Sequence, residues 1–181
     1  MASSPNILWI CTDQQRADTI RALGNSYIRT PNLDRLVGEG VAFTNAYCQN
    51  PVCSPSRASF LTGRYPRTTR VRQNGQEVFP ESEKLVTRMF ADAGYDCGLV
   101  GKLHLSAAHG RKEPRPDDGY RYYQFSHDPF PLWPKEDHDY HMWIHNKGYK
   151  YGEVYPVPDE YWENYGKAGG ISEVNGSPVY A

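Results

Sequence analysis

The chain has 181 residues, with 20 Lys and Arg against 21 Asp and Glu, a formal net charge of −1 and a mean hydropathy of −0.72. Such a length suits one ordinary domain. A charge so near zero gives no electrostatic reason to expect nucleic acid or a membrane surface as partner. No run approaches the roughly 18 apolar residues of a spanning helix. Residues 1–6 carry no basic n-region and Ile7–Cys11 is too short for a signal-peptide core, so a cytoplasmic location is expected.

Core-forming residues are unevenly spread. Leu, Ile, Val and Phe number 33, and 24 of them fall in residues 1–105. Residues 106–181 hold 10 of the 14 Tyr and 8 of the 14 Pro, and carry a net charge of −4 against +3 for the first stretch. Residues 1–105 therefore read as the packed part of a domain, and 106–181 as its loop-rich continuation.

In chain order, residues 6–11 form a short apolar run that suits a buried parallel strand. Polarity returns abruptly at Thr12-Asp13-Gln14-Gln15. Thr30-Pro31 predicts a helix start, with Leu33, Leu36 and Val37 on one face and Gly38 and Gly40 ending it. Residues 41–47 alternate well enough for a second strand. A short helix is expected from Pro55-Ser56 to Gly63, and a clearer one from a Ser82 cap to Gly94, with Leu85, Val86, Met89, Phe90 and Ala93 along one face. Residues 95–101 read as a third strand that leads directly into Lys102-Leu103-His104. This order predicts an α/β fold, a largely parallel sheet flanked by helices. Ligands gather beyond the carboxyl ends of strands in such sheets, which is where Asp13 and Lys102-x-His104 fall. Beyond residue 105 the pattern is turn chemistry, as in Arg115-Pro116-Asp117-Asp118-Gly119, and no terminal element is expected at residues 177–181.

The chemically informative stretch is Pro51 to Arg64. It sets Cys53 in the turn before a helix, whose free N–H groups attract anions. Five arginines (Arg57, Arg64, Arg67, Arg70 and Arg72) lie within sixteen residues, a basic patch suited to sulfate or phosphate. The same composition also fits an ordinary buried thiol with solvated arginines. Cys11 and Cys97 fall in expected strands and read as inert small hydrophobes. Asn74 in Gln73-Asn74-Gly75 reads as a turn residue. His127, His138, His141 and His145 read as pocket wall or surface rather than a metal site.

Cys53-Ser54-Pro55-Ser56-Arg57-Ala58-Ser59-Phe60-Leu61-Thr62-Gly63 resembles the sulfatase signature, C-x-P-S-R followed by two residues, two apolar residues, Thr and Gly, with no departure. Three further segments resemble the family in the right order: Asn6–Gln14 its opening strand and metal-binding Asp, Thr30–Leu36 its T-P-N-L-D-x-L helix, and Gly94–His104 its second signature. Cys97 and Leu103 depart from the usual residues of that signature, at positions that carry no charge chemistry. The resemblance covers residues 5–105 and continues weakly beyond.

The resemblance implies an alkaline-phosphatase-like fold and a sulfuric ester hydrolase. Cys53 would be oxidised to formylglycine by a formylglycine-generating enzyme that reads Ser54-Pro55-Ser56-Arg57. One hydroxyl of the aldehyde hydrate would attack sulfur and displace the alcohol; the other would lose its proton and expel sulfate. Arg57 would hold the formylglycine, Lys102 would bind a sulfate oxygen, and His104 would bind substrate and act as base. Asp13, Gln14 and the modified Cys53 would ligate a divalent cation, calcium first with magnesium or manganese as alternatives. Gln14 stands where many members have a second Asp, which makes the site less negative. The substrate would be a small-molecule or sugar sulfate ester.

The family's later Asp-Asn or Asp-His metal ligands have no counterpart after residue 105, because Asp137-His138 is followed by Asp139. The chain is therefore expected to be the N-terminal part of a sulfatase, with an incomplete active site and little turnover alone. The alternatives are a phosphonate or phosphate monoester hydrolase of the same superfamily, which the Lys102-x-His104 pair disfavours, and a non-catalytic anion-binding chain.

Overall fold

A computed structural model of the chain describes residues 4–108, 112–127, 135–154, 171–174 and 177–180. The chain divides into two compact units, residues 1–47 and 48–181.

In the first unit no described residue is buried. Two 3-10 turns, Ala17–Thr19 and Arg21–Leu23, precede helix α1, Pro31–Glu39. Pro31 takes the first helical position, as expected. Thr30 does not cap the helix with its side chain. Instead its hydroxyl accepts the Arg21 N–H at 2.9 Å and donates to the Asp34 carboxylate at 2.8 Å. Asp34 also accepts the Ala22 N–H at 2.8 Å. Thr30 and Asp34 together tie the preceding turn to α1.

The two strands expected in this unit do not form. Residues 6–11 and 41–47 lie outside any ladder, with Leu8 85% and Phe43 79% exposed. A strand needs a neighbour for its N–H and C=O groups, and the described part of residues 1–47 supplies none. Cys11 is accordingly exposed rather than buried.

The second unit holds the α/β part. Helices α2 (Cys53–Thr62), α3 (Pro66–Thr69) and α4 (Val86–Asp92) precede strand β1 (Gly98–Gly101), which pairs in parallel with β2 (Tyr122–Phe125). The register runs from Gly98 opposite Tyr122 to Gly101 opposite Phe125. Helices α5 (Asp139–Asn146) and α6 (Tyr151–Val154) follow. Strands β3 (Ile171–Val174) and β4 (Ser177–Tyr180) form an antiparallel pair at residues where no terminal element was expected. The sequence carries Asn175-Gly176 between them, a strong hairpin signal.

Two helix boundaries differ from expectation. α2 starts at Cys53, because Pro55 sits in a first turn whose N–H groups need no intrahelical partner. α4 starts at Val86, with Leu85 rather than Ser82 at its N-cap. Its end is as expected: Gly94 adopts φ +90° and the Tyr95 N–H closes on the Phe90 carbonyl at 3.0 Å. Cys97 is half-buried, with its thiol 3.6 Å from the Thr87 carbonyl.

The core gathers Ala58 of α2 with Val71, Phe79, Leu85, Leu103 and Leu105, and Leu61, Leu99, Tyr120 and Tyr123 pack against it. Leu103 and Leu105 flank His104 and are 1% and 0% exposed. The departure from the usual signature residue at Leu103 is thus a core position. The turn Arg115–Gly119 seats on α4: Thr87 donates its hydroxyl to the Asp118 carbonyl at 2.6 Å, and Arg115 forks onto the buried Asp118 carboxylate at 2.8 and 2.6 Å. Among the described residues no helix is long and apolar enough to cross a membrane.

Candidate active site

Cys53 is the first residue of α2. Val52 at the N-cap offers no side-chain hydrogen bond. The cap comes from elsewhere: Asn74 Oδ1 accepts the Ser54 N–H at 2.9 Å. Asn74 therefore has a defined task at this helix start, beyond that of a turn residue.

One helical turn beyond Cys53, Arg57 is 8% exposed and donates from Nη1 to the Lys102 carbonyl. Lys102 follows β1, and its Nζ lies 3.6 Å from Cys53 Sγ. These contacts close a ring of three residues: the helix links Cys53 to Arg57, the guanidinium fixes the Lys102 backbone, and the ammonium returns to the sulfur. A helix N-terminus, an ammonium group and a thiol thereby share one place.

Of the five arginines, Arg57 is the buried one. Arg64 pairs with Glu83 at 3.1 Å, and Arg67, Arg70 and Arg72 are exposed.

His104 lies two residues past Lys102. It is 8% exposed and holds φ +52°, a left-handed conformation unusual outside glycine. That conformation turns three successive N–H groups to one side. All three donate to the Glu113 carboxylate, His104 to Oε1, and Leu105 and Ser106 to Oε2 at 2.8 and 3.0 Å. Glu113 is 3% exposed. Burial pushes its carboxyl above the ordinary 4.5, and the three N–H donors and nearby His127 pull against that rise. The His104 ring meets the His127 ring edge-on, with centroids 4.4 Å apart at 74°.

Glu113 was not legible as a site residue. A lone Glu between Lys112 and Pro114 has no motif, and only the folded turn reveals what it holds.

The remaining histidines extend from this point. His138, 1% exposed, faces the His127 N–H with Nε2 at 3.2 Å and the His141 N–H with Nδ1 at 3.4 Å. A neutral imidazole has one lone-pair nitrogen, so one of these contacts at most is a full hydrogen bond. His138 and His141 stack at 4.0 Å, while His145 is exposed. Among the described residues no group of three His, Cys, Asp or Glu could hold a metal ion.

Asp13 and Gln14 belong to the first unit, in an exposed bend where Gln14 holds φ +53°. In the second unit a cleft lined by Arg88, Asp117, Gly119 and Arg121 lies apart from Cys53 in its lining residues. Its charges are matched internally and locally, with Arg88 on Asp92 and Asp117, and Arg121 on Asp96.

The sulfatase family model matches residues 5–168. The chain belongs to the sulfatase family. This sulfatase-family chain is 39% identical over 144 residues to an ulvan-active sulfatase of Formosa agariphila, covering 76% of the chain and 27% of that protein. It is 41% identical over 113 residues to the human N-acetylgalactosamine-6-sulfatase, covering 56% of the chain and 22% of that protein. Among solved structures, the phosphonate monoester hydrolase of Agrobacterium radiobacter resembles it with a TM-score of 0.59 at 26% identity, covering 75% of this chain and 27% of that one. The fold expectation of a parallel α/β sheet flanked by helices agrees with these relatives and with the β1–β2 pair. The chain spans about a quarter of the length of the proteins it matches.

Proposed function

We propose that this chain carries the nucleophile-bearing part of a sulfuric ester hydrolase, acting on a small-molecule or sugar sulfate ester. The observation that supports this most is the Lys102 ammonium 3.6 Å from Cys53 Sγ at the start of α2. It joins the two family signatures at one point. An uncharged leaving-group pocket would not need a cation there, whereas a sulfate oxygen does.

Cys53 is then the residue that a formylglycine-generating enzyme would convert, and the hydrate of that aldehyde would supply one hydroxyl for attack on sulfur and a second for release of sulfate. Within this reading Lys102 binds a sulfate oxygen. Arg57 fixes the Lys102 carbonyl and brings positive charge to the backbone of the residue whose ammonium meets Cys53. His104 binds substrate and takes the proton of the releasing hydroxyl. The donor chemistry of Asp13 and Gln14, a carboxylate and an amide carbonyl on an exposed bend, fits a hard cation such as calcium, with magnesium or manganese as alternatives. Such a cation would supply Lewis-acid polarisation of the sulfate.

Intact mass spectrometry of the chain from its native host tests the central point. Conversion of Cys53 lowers the mass by about 18 Da, the difference between CH₂SH and CHO side chains. An unmodified Cys53 in that host sinks the hydrolase reading. A second reading, phosphonate or phosphate monoester hydrolysis, draws on the Agrobacterium radiobacter neighbour. Paired assays of a full-length version with an aryl sulfate and an aryl phosphonate separate the two, and the first substrate is expected to be preferred.

A further inference from the structure

The turn after Lys102 is held from two sides by buried groups that the proposed chemistry does not use. On one side the Ser106 hydroxyl accepts the Phe79 N–H at 3.1 Å, and Leu103 and Leu105 are locked in the core. On the other, the Glu113 carboxylate fills the concavity made by the N–H groups of His104, Leu105 and Ser106. Successive N–H groups around a left-handed residue form an anion cradle, and here the anion is a side chain of the same chain. His104 is not a glycine, so its φ of +52° persists only if its surroundings hold it. The group in contact with all three amides is Glu113. His127 completes the arrangement: its ring stands edge-on to His104 at 4.4 Å and lies near enough to act on the Glu113 charge.

We propose that Glu113 is a positioning residue: its carboxylate, seated in the 104–106 cradle, fixes the left-handed backbone of His104 and so aims the His104 ring against His127. This rests on the proposed hydrolase reading only for what His104 then does. The clamp itself is a claim about this turn. It predicts that the cradle, emptied of Glu113, accepts a small carboxylate in its place.

The test uses the full 181-residue chain and two variants, Glu113→Gln, which keeps the volume but loses the charge, and Glu113→Ala with and without added formate. Amide hydrogen exchange at residues 104–106 reads the cradle. The ring-proton signals of His104 and His127 read the ring geometry. In E113Q the Leu105 and Ser106 amides are expected to exchange at least about tenfold faster, with unchanged protection in the β1–β2 ladder. The His104 and His127 ring signals are expected to move toward their free-chain positions. In E113A formate is expected to restore both readouts, and in E113Q it should restore neither, because the Gln amide still fills the space. Amides and ring signals that stay at their wild-type values in E113Q overturn the proposal, and so does formate that restores neither readout in E113A with the ladder intact. If E113A loses all protection, E113Q alone decides. Neither readout needs turnover, so an unmodified Cys53 would defeat the hydrolase reading and leave this result standing.

Discussion

Arg57 and Glu113 are buried ions of opposite sign that serve one short turn. The guanidinium takes a carbonyl, that of Lys102, and the carboxylate takes three amides, those of residues 104–106. Each ion is matched to the backbone polarity it meets, which is how a buried charge stays tolerable. Replacing Arg57 with Met keeps the bulk and removes the donor. It is expected to cost about 1.5–3 kcal/mol, the range for a hydrogen bond to a charged group. Urea unfolding of R57M measures this, and a loss under about 0.5 kcal/mol would show the contact to be idle. Glu113 leads to a pH dependence. Its carboxyl lies above the ordinary 4.5 in the folded chain because burial outweighs the three donors. The folded state therefore binds the proton more tightly than the unfolded one. The stabilisation that follows is fully present below the ordinary value and is lost as pH rises through the folded value. The melting temperature of wild type should thus fall relative to E113Q over a pH range that begins near the ordinary carboxyl value of 4.5 and extends above it, because E113Q has no such proton to lose. A constant difference between the two across that range would contradict the assignment.

At the scale of elements, α2 carries Cys53 and Arg57, and its two ends are finished differently. At the start the cap is remote, the Asn74 side chain on the Ser54 N–H. At the end Gly63 takes φ +68° and its N–H closes on the Ser59 carbonyl at 2.8 Å. Asn74→Ala should cost about 1 kcal/mol by the usual worth of an N-cap. It should also loosen the position of Cys53, read as faster alkylation of its thiol in the unmodified chain. Equal alkylation rates and equal stability would show that the cap is dispensable. The turn on α4 is stricter. A Cβ at Gly119 would lie 2.6 Å from Arg88 Cα and 2.7 Å from the Thr87 carbonyl oxygen, and the residue holds φ +79°. Backbone cannot yield as a flexible side chain can, so Gly119→Ala should destabilise by about 2–4 kcal/mol, from overpacking and left-handed strain together. A chemical melt of G119A checks it, and a cost under about 1 kcal/mol would mean that α4 and the turn part easily.

Over the whole molecule the burial is uneven. Every buried residue of the described set lies in the second unit, and the first unit's described side chains all retain access to solvent. Local stability follows buried apolar contact. Limited proteolysis of the chain should therefore cut within residues 1–47 well before it cuts between Cys53 and Ala108, with mass spectrometry locating the sites. First cuts inside α2 or the β1–β2 pair would overturn this reading of where stability resides.

The sequence by itself determined the family and three of the helices, α1, α2 and α4; α3, α5 and α6 give no such signal, and residues 137–145 do not read as helical. The signature from Cys53 to Gly63 is a local string, α1 announces itself by Thr30-Pro31, and the ends of α2 and α4 are marked by glycines that local backbone geometry demands. The fate of residues 6–11 and 41–47 was not legible there, because an apolar or alternating run becomes a strand only when another strand completes its hydrogen bonds. The start of α2 moved for a local reason, Pro55 in its first turn, that the motif did not display. The tertiary structure alone decided that Arg57, out of five arginines, turns inward to Lys102, and that Asn74 caps a helix twenty positions away in sequence. It also brought Glu113 under His104. The physical reason is common to all three: a carbonyl, a first-turn helix N–H and an anion cradle are backbone groups. Every residue has them, so no sequence pattern says which side chain the fold will bring to them.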